Sequence, residues 1–466
     1  MVGKLFRRRT IPIARGCSQL RQDRGVDETK PAIDISLLEE ECVSICQEMI
    51  RIPSVNHGEG VGDECAMADY VAKKLSEVGI ESELIVTGEN RVNVVARISG
   101  LDQSRPGLVL HGHLDVVPVN AADWSVDPFG GEIKDGYLWG RGAVDMKDMD
   151  AMILATVRAW ARAKYQPPRN ILLVFFADEE AGSEYGSRYL VANRPELFAG
   201  YSEAISEVGG FSVTITGGHR LYFIEAAQKG INWLQLRASG DAGHGSFINR
   251  NNAISKLASA IARIGAFEWP QVETKTGAKF WSKIASLVGE PYDPSNVKPL
   301  LKHIGGAARM LGATIQNTAN PTMLEAGYKA NVIPQSATAV VDGRFLPGYE
   351  QELLDTVKQL AGSDIDIEVL VRDKALEVDF EGPLVEAMQA AIAKFDPEGI
   401  SVPYLMSGGT DNKALSDLGI VGYGFSPVKL PPDLDFFALF HGVDERIPIE
   451  GLKFGVKVLN EFLQNA

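Results

Sequence analysis

The chain has 466 residues, of which 45% are hydrophobic and 23% charged, a composition typical of a globular enzyme. This length exceeds a single ordinary core, so we expect two domains. The formal net charge of −15 argues against nucleic acid or an anionic membrane as the main partner. No apolar run reaches the roughly 18 residues that a membrane-spanning helix needs.

The four cysteines, Cys17, Cys42, Cys46 and Cys65, all lie in the first seventh of the chain. They do not form a disulfide framework for a protein of this size, so we expect a reducing, cytoplasmic setting. Cys42 and Cys46 lie four residues apart in a predicted helix. Because no second Cys or His pair accompanies them, buried helix positions are favoured over half of a zinc site.

The start of the chain is basic and contains Arg7, Arg8 and Arg9. The apolar patch that follows is too short for a secretory signal. We therefore expect residues 1–34 to be a disordered basic extension, with an organelle transit peptide as the alternative.

The predicted elements of the first part of the chain alternate between helices and strands. Helices are predicted from about residue 34 and over 63–78, followed by strands over 82–87, 92–98 and 108–113. A hairpin turns at 135–136, and a helix follows it to about residue 163. Apolar runs at 170–177 and 204–206 complete a pattern that predicts a mostly parallel α/β sheet.

The pattern changes at about residue 225, where polar and apolar residues begin to alternate, as in a sheet with one solvated face. Strands and helices then predict a compact α+β unit, and the α/β pattern returns afterwards. We therefore predict a catalytic domain formed by residues 35–225 and 374–466, with residues 226–373 inserted into it. The inserted domain carries a mostly helical insertion at about 268–320.

Ionisable residues follow the ends of several predicted strands, and others join them from elsewhere in the chain. His113 and Asp115 lie two residues apart and therefore share a face. A buried histidine satisfied by a carboxylate would explain this pair alone. The larger set of candidates is His113, Asp115, Asp145, Glu179, Glu180, Glu207 and His441.

So many acids at one edge of a sheet would repel one another unless a cation neutralised them. Imidazoles and carboxylates suit Zn²⁺, and Co²⁺ or Mn²⁺ would also fit. Two histidines and one glutamate would hold one zinc ion, whereas the larger set could hold two ions about 3.5–4 Å apart. The remaining glutamate of the Glu179–Glu180 pair could then act as a general base.

Eight stretches of the sequence resemble those of the co-catalytic di-zinc exopeptidases and amidohydrolases of peptidase clan MH. This family includes carboxypeptidase G, aminoacylase, acetylornithine deacetylase and succinyl-diaminopimelate desuccinylase, and the chain is most similar to its carboxypeptidase S-like branch. The stretches occur in family order: HGHLDVVP at 111–118, WGRGAVDMK at 139–147, DEE at 178–180, SE at 206–207, GHGS at 243–246, KANVIP at 329–334, GGTD at 408–411 and HG at 441–442.

The resemblance implies a three-layer α/β catalytic domain with an inserted α+β, ferredoxin-like lid that also serves dimerisation. It implies two Zn²⁺ ions per chain, one bound by His113 and Glu207 and the other by Glu180 and His441. Asp145 would bridge both ions and precede a cis peptide bond. The family pattern makes Glu179 the general acid and base, with Asp115 orienting His113.

The resemblance also implies substrate contacts. His244 would polarise the scissile carbonyl, often in the active site of the partner subunit, while Asn331 and Arg344 would bind substrate. Gly408 and Gly409 would present backbone N–H groups to the substrate, and Thr410 would begin a helix whose N-terminus favours an anion. Without the resemblance, His244 could merely cap a turn, and Arg344 could pair with Asp342 or Glu350.

The function implied is hydrolysis of an amide bond in a small peptide or an N-acyl amino acid, with a homodimer formed through the inserted domain. A dedicated biosynthetic deacylase, such as a desuccinylase, is the alternative within the same chemistry. An inactive scaffold protein is the alternative outside it, but every implied ligand and the base are present in the sequence.

Overall fold

A computed structural model describes residues 32–466 of the chain. The predictions for residues 1–31, including the basic extension and Cys17, lie outside the described residues. No helix in residues 32–466 is long and apolar enough to cross a membrane. The α-helices of this part are α1 Ile35–Ile50, α2 Cys65–Ser76, α3 Lys147–Ala163, α4 Ser187–Asn193, α5 Ala253–Gly265, α6 Lys275–Val288, α7 Ala308–Leu311, α8 Glu350–Ala361, α9 Pro383–Phe395, α10 Asn412–Leu415 and α11 Ile449–Asn465.

The strands form one large sheet, a second four-stranded sheet and three small ribbons. They are β1 Asn56–Gly58, β2 Val61–Gly62, β3 Ser82–Gly88, β4 Arg91–Ile98, β5 Gly107–His113, β6 Glu132–Lys134, β7 Tyr137–Trp139, β8 Ile171–Phe176, β9 Tyr201–Ser206, β10 Phe211–Thr214, β11 Arg220–Gln228, β12 Gly230–Ser239, β13 Gly243–His244, β14 Thr318–Ala326, β15 Val332–Ile333, β16 Ser336–Phe345, β17 Ile365–Asp373, β18 Leu376–Glu377, β19 Ile400–Met406, β20 Val421–Gly424 and β21 Arg446–Pro448.

The large sheet has the order β10-β11-β20-β9-β5-β8-β4-β3, and β18 and β19 also pair with β11. Its centre, β20-β9-β5-β8, is parallel, whereas β3, β4 and β10 run antiparallel to their neighbours. The prediction of a mostly parallel sheet was therefore wrong for these outer strands. For β3 and β4 the reason is local, because a tight turn joins them and a tight turn can join only antiparallel strands.

Helices cover both faces of this sheet and make the predicted three layers. α1, α2, α3, α9 and α11 pack on one face, and α4 and α10 pack on the other. The first helix shows how the sequence specifies this packing. Asp34 caps it by accepting a hydrogen bond from the Leu37 N–H at 3.1 Å, and its apolar side includes Cys42 and Cys46. Both cysteines are buried free thiols, as predicted.

The second sheet, β14-β16-β12-β17, is antiparallel throughout and is covered on one face by α5 and α8. Side chains of β12 alternate between buried and exposed, which confirms the pattern expected of a sheet with one solvated face. Together these elements form the α+β lid. The lid connects to the large sheet where β11 continues into β12 and where β17 leads to β18.

The helical segment between the lid elements packs away from the lid sheet. Phe280 and Trp281 of α6, together with Leu311 of α7, belong to the same buried cluster as Phe223 of β11 and Tyr404 of β19. The ring of Phe280 meets that of Phe223 edge-on, with 5.2 Å between the centroids. The segment inserted in the lid sequence is thus part of the core beneath the large sheet.

Candidate metal and catalytic centre

The polar residues at the strand ends meet at one edge of the large sheet. β5 ends at His113, β8 ends two residues before Asp178, and β9 ends immediately before Glu207. The three strands are parallel neighbours in the order β9-β5-β8. Their carboxyl ends therefore lie side by side, which is where ligands bind in open α/β sheets.

Two groups of potential ligand atoms share Asp145. In the first, His113 Nε2 lies 3.1 Å from Asp145 Oδ1 and 3.6 Å from Glu207 Oε2. In the second, His441 Nε2 lies 3.3 Å from Asp145 Oδ2 and 3.0 Å from Glu180 Oε2. Within each group the atoms all lie within 4.8 Å of one another. One carboxylate thus faces both groups, each through a different oxygen.

The electrostatics of the cluster show an excess of buried negative charge. Burial raises the pKa of Glu207 to about 7 despite the nearby His113. Burial, together with the negative charge of Glu207, also raises the pKa of Glu179 well above its usual range. Hydrogen bonds to Asp145 and Glu180 raise the pKa of His441 to about 10. These pKa shifts show that a positive charge near the buried carboxylates would stabilise their ionised form.

The donor set fits a pair of divalent metal ions. Two imidazoles and several carboxylates supply the nitrogen and oxygen ligands that Zn²⁺, Co²⁺ and Mn²⁺ accept. In addition, the buried Glu180 Oε1 has no hydrogen-bond partner among the described residues. A buried carboxylate oxygen without a partner is costly, and a cation held by the second group, to which Glu180 belongs, would satisfy it.

Asp115 holds both halves of the cluster in place. His113 Nδ1 lies 3.0 Å from the carbonyl oxygen of Asp115 and 3.6 Å from its carboxylate. The two carboxylate oxygens accept hydrogen bonds from the backbone N–H groups of Glu179 and Glu180, each at 3.1 Å. Asn56 donates a further hydrogen bond at 2.9 Å. A single buried side chain therefore orients one histidine and the loop that carries the glutamate pair.

Glu445 supports the loop that carries Asp145, and the sequence analysis missed it. Its Oε1 accepts hydrogen bonds from the backbone N–H groups of Val144 and Asp145, at 2.8 and 3.2 Å. Its Oε2 accepts from the Arg141 guanidinium at 2.6 Å and from the Gly142 N–H at 3.0 Å. The sequence offered one signal, an acid four residues after the candidate ligand His441. Only the fold shows that this acid is buried and contacts residues 141–145.

The backbone at the cluster adopts unusual conformations. The Asp145–Met146 peptide bond is cis, as the resemblance implied. Asp178, Val208 and His441 have φ values of 65°, 50° and 57°, in the left-handed region that non-glycine residues rarely occupy. Each lies at or beside a candidate ligand or the glutamate pair. Left-handed conformations of non-glycine residues concentrate at functional sites, where the surrounding structure enforces them.

A cavity of about 330 Å³ opens onto the cluster. Its polar lining comprises Asp145, Glu179, Glu180, Glu207 and His441, together with Ser407, Gly408 and Gly409. Its remaining lining is apolar. The volume lies at the lower end of the range of roughly 300–1,000 Å³ for small-molecule sites, and it fits a small substrate.

The candidates of the lid do not reach this cavity. His244 is exposed, and its Nδ1 lies 2.8 Å from Ser246 Oγ. Asn331 is exposed as well. Arg344 makes a two-point ion pair with Asp342, at 2.7 and 3.1 Å, which is one of the alternatives left open by its sequence. None of the three predicted lid residues is among the described residues that line the cavity.

Thr410, a further predicted position, and His111, in the first of the eight stretches, behave differently. Thr410 is buried; its N–H donates to Gln228 Oε1 at 3.0 Å, and its hydroxyl oxygen accepts from Gln228 Nε2 at 2.8 Å. It therefore fixes the loop on which Gly408 and Gly409 line the cavity. His111 is buried, with Nε2 2.9 Å from Asn412 Oδ1, and it belongs to neither ligand group.

The fold and this cluster together define a metal-dependent hydrolase of amide bonds. The sequence profile of peptidase family M20/M25/M40 matches residues 109–465, and the chain belongs to this family. It is 27% identical to the "N-fatty-acyl-amino acid synthase/hydrolase PM20D1" of Mus musculus, over 96% of this chain and 92% of that protein. It is 28% identical to the "Probable carboxypeptidase S-like 2" of Dictyostelium discoideum, over 80% and 76% of the two chains.

Solved structures agree with this assignment of the fold. The M20 family metallo-carboxypeptidase Sso-CP2 from Sulfolobus solfataricus superposes with a TM-score of 0.70 at 20% identity, covering 91% of this chain and 99% of that chain. Both the resemblance drawn from the eight stretches and the predicted fold class, with its catalytic domain and lid, are confirmed. The prediction of a hydrolase that acts on C–N bonds is confirmed as well.

Proposed function

We propose that the protein hydrolyses the amide bond of an N-acyl amino acid or a small peptide at a pair of metal ions. The observation that carries this proposal is the pair of ligand groups that share Asp145, with Glu179 beside them in the same small cavity. A shared carboxylate is the arrangement expected of two-metal sites.

In this proposal His113 and Glu207 hold one ion, Glu180 and His441 hold the other, and Asp145 bridges them. Zn²⁺ is the proposed metal, with Co²⁺ or Mn²⁺ as substitutes. When bound, the ions supply Lewis acidity toward the scissile carbonyl and the attacking water.

Glu179 is the proposed general acid and base. It lines the cavity, and its backbone N–H donates a hydrogen bond to Asp115, which is not a proposed metal ligand. The high pKa of its carboxyl group, raised by burial and by the charge of Glu207, suits a group that accepts a proton from water. The same carboxyl then donates that proton to the leaving nitrogen.

The lid residues complete the site only after a movement or through a second subunit. His244, Asn331 and Arg344 lie outside the cavity of this chain, yet a polarising imidazole and a cation for the substrate carboxylate suit the reaction. We propose that lid closure, or a homodimer formed through the lid, brings them to the cavity. Gly408 and Gly409 already line it and are proposed to bind substrate through their backbone.

A reducing, cytoplasmic compartment is part of the proposal. It rests on Cys42, Cys46 and Cys65, which are free thiols in the described residues. Neither nucleic acid nor a membrane is part of the proposed reaction.

The test is an assay of purified protein against N-acetyl, N-octanoyl and N-succinyl amino acids and a set of dipeptides. We expect hydrolysis that is lost after chelation and restored by Zn²⁺, Co²⁺ or Mn²⁺. Specific cleavage of the N-succinyl substrate would favour the desuccinylase alternative. Metal-loaded protein without activity on any amide would contradict the proposal.

A further inference from the structure

Two short connections join the lid to the catalytic domain. In the first, Lys229 is the one residue between β11 and β12, and in the second, residues 374–375 lie between β17 and β18. β11 pairs with β18 beside the first connection, so the two connections run next to each other. Any change in the position of the lid therefore has to pass through both of them.

The first connection is bonded on both of its sides. The backbone N–H of Lys229 donates to the carbonyl oxygen of Met406 at 3.0 Å, at the end of β19. The Lys229 ammonium group donates to the carbonyl oxygens of Ala313 and Gln316 at 2.9 Å each, and to Thr318 Oγ1 at 3.3 Å. This connection is thus held both by the strand that leads to Gly408 and by the start of the lid strand β14.

One buried ammonium group contacts both connections. Lys413 of α10 donates to the carbonyl oxygen of Lys229 at 2.9 Å, and its Nζ lies 2.9 Å from Asp373 Oδ2. Asp373 is the last residue of β17, where the second connection begins. Only 5% of the Lys413 side chain is exposed, so these two oxygens replace water around its charge.

The same lysine contacts residues 407–411, which we call the glycine loop. A Cβ atom at Gly409 would lie 2.7 Å from both Cε and Nζ of Lys413, so only a glycine leaves room for the lysine side chain. The backbone N–H of Lys413 also donates to the Thr410 carbonyl oxygen at 3.1 Å. Because Gly408 and Gly409 line the catalytic cavity, Lys413 links both lid connections to one edge of that cavity.

Stability alone does not explain a charge at this position. Replacing a buried ion pair with well-packed apolar side chains is often neutral or stabilising, and an apolar side chain would also fill the space beside Gly409. The ammonium group adds direction, because its hydrogen bonds fix one particular oxygen from each connection. This arrangement is suited to transmitting a change of position between the lid and the glycine loop.

We propose that Lys413 is a positioning residue that couples the lid to the glycine loop of the cavity. When the lid changes its position, the two connections displace the Lys413 side chain, and the backbone of Gly408 and Gly409 follows it. The position of the lid and the shape of this edge of the cavity then change together. The coupling is a property of the fold, and only its expected effect on KM rests on the proposed function.

The test is hydrogen–deuterium exchange of the full-length, zinc-loaded protein. In Lys413→Met, which keeps most of the side-chain length and removes the charge, the amides of the glycine loop and of residues 371–376 exchange about tenfold faster, because a charged hydrogen bond changes a local opening equilibrium by about that factor. Asp373 keeps Arg188 as a partner, 3.2 Å away, so no acid is left unpaired. Unchanged exchange in α3 and β8 confirms that the core stays folded.

A second variant separates coupling from local support of the loop. Asp373 makes ion pairs only with Lys413 and Arg188 among the described residues. Asp373→Asn nevertheless speeds exchange in the glycine loop, and it has no further effect there once Lys413→Met is present. Lys374→Met is the matched control, because Lys374 lies in the same connection but pairs with Asp417 at 2.5 Å, and it leaves the exchange of the loop unchanged.

Kinetics provide a readout that a purely structural role would not give. With N-acetyl-leucine, Lys413→Met raises KM about tenfold with a smaller change in kcat and unchanged zinc content. Unchanged exchange of the glycine loop in Lys413→Met overturns the inference but not the proposed function. So does an effect of Asp373→Asn on the loop that persists without Lys413, or an unchanged KM. If the exchange results hold but no amide is cleaved, the proposed function fails and the coupling stands.

Discussion

The catalytic edge of the large sheet and the exposed face of the lid differ in how firmly they hold their polar residues. At the sheet edge, His113 and Asp115 are almost completely buried, His113 hydrogen-bonds to the Asp115 carbonyl oxygen, and Asp115 accepts a hydrogen bond from the Glu179 N–H. On the lid, His244 is exposed and contacts only its own loop. We therefore expect the metal and proton chemistry to be complete within one chain, whereas the proposed lid chemistry requires His244 to approach the cavity.

This contrast predicts that the bridging position is the most sensitive in the molecule. Asp145→Ala removes the carboxylate shared by both ligand groups, so we expect loss of bound metal and a fall in kcat/KM of about 10³-fold or more. Metal analysis and an amide assay would measure both effects. Asp366→Ala, at an exposed position of β17, is the control. Full metal content in Asp145→Ala would contradict the shared-ligand assignment.

The lid side of the comparison can be tested by complementation. His244→Ala should lower kcat about 10²–10³-fold, as loss of a carbonyl-polarising donor does, without loss of metal. If His244 acts across a dimer, co-expression with Glu179→Gln restores about a quarter of wild-type activity, because half of the dimers are mixed and each has one intact site. Recovery of no activity would instead assign His244 to closure within its own chain.

A residue that supports a metal-ligand loop should have a smaller effect than a metal ligand itself. In Glu445→Gln, an N–H₂ group replaces an oxygen that accepts hydrogen bonds from the loop around Asp145. We expect metal affinity to fall about 10–100-fold, as is typical for partners that orient metal ligands. Excess metal should then restore most of the activity. Glu450→Gln, an exposed acid, serves as the control, and an unchanged metal affinity in Glu445→Gln would count against the support role.

The effect expected for Arg344 is on KM rather than on metal affinity. Its loss should raise KM for a substrate with a free carboxylate about 10–100-fold, which matches the 1.5–3 kcal/mol of a charged hydrogen bond, with a smaller change in kcat. Arg372→Ala is the control, because Arg372 is an exposed arginine of the same sheet that pairs with Glu350. If Arg344→Ala lowers only thermal stability, its partner is Asp342 and not the substrate.

The sequence predicted the strand-end residues well because buried strands have a clear signature. Apolar runs end at His113, before Glu179 and before Glu207, and parallel strands bring their ends together. Asp145 and His441 follow no such run, so their roles came only from the resemblance. The structure gives the positions of both side chains, and their roles as metal ligands stay predictions.

Other features could not be predicted because they depend on distant contacts. Glu445 meets residues 141–145 across about 300 positions of sequence. The apolar periodicity of α6 shows that it buries one face, but not that this face packs on the large sheet beside Phe223. The same packing places Met310 in the lining of the cavity, so no local pattern could reveal its position.

The most direct test of the central claim is the metal content and turnover of Glu179→Gln. Because Glu179 lies outside both ligand groups, the account predicts wild-type metal content together with a fall in kcat of about 10²–10⁴-fold, the usual contribution of a general base. Glu184→Gln, an exposed glutamate of the same loop, should match the wild type in both measurements. Wild-type turnover in Glu179→Gln, or loss of its metal, would contradict the account.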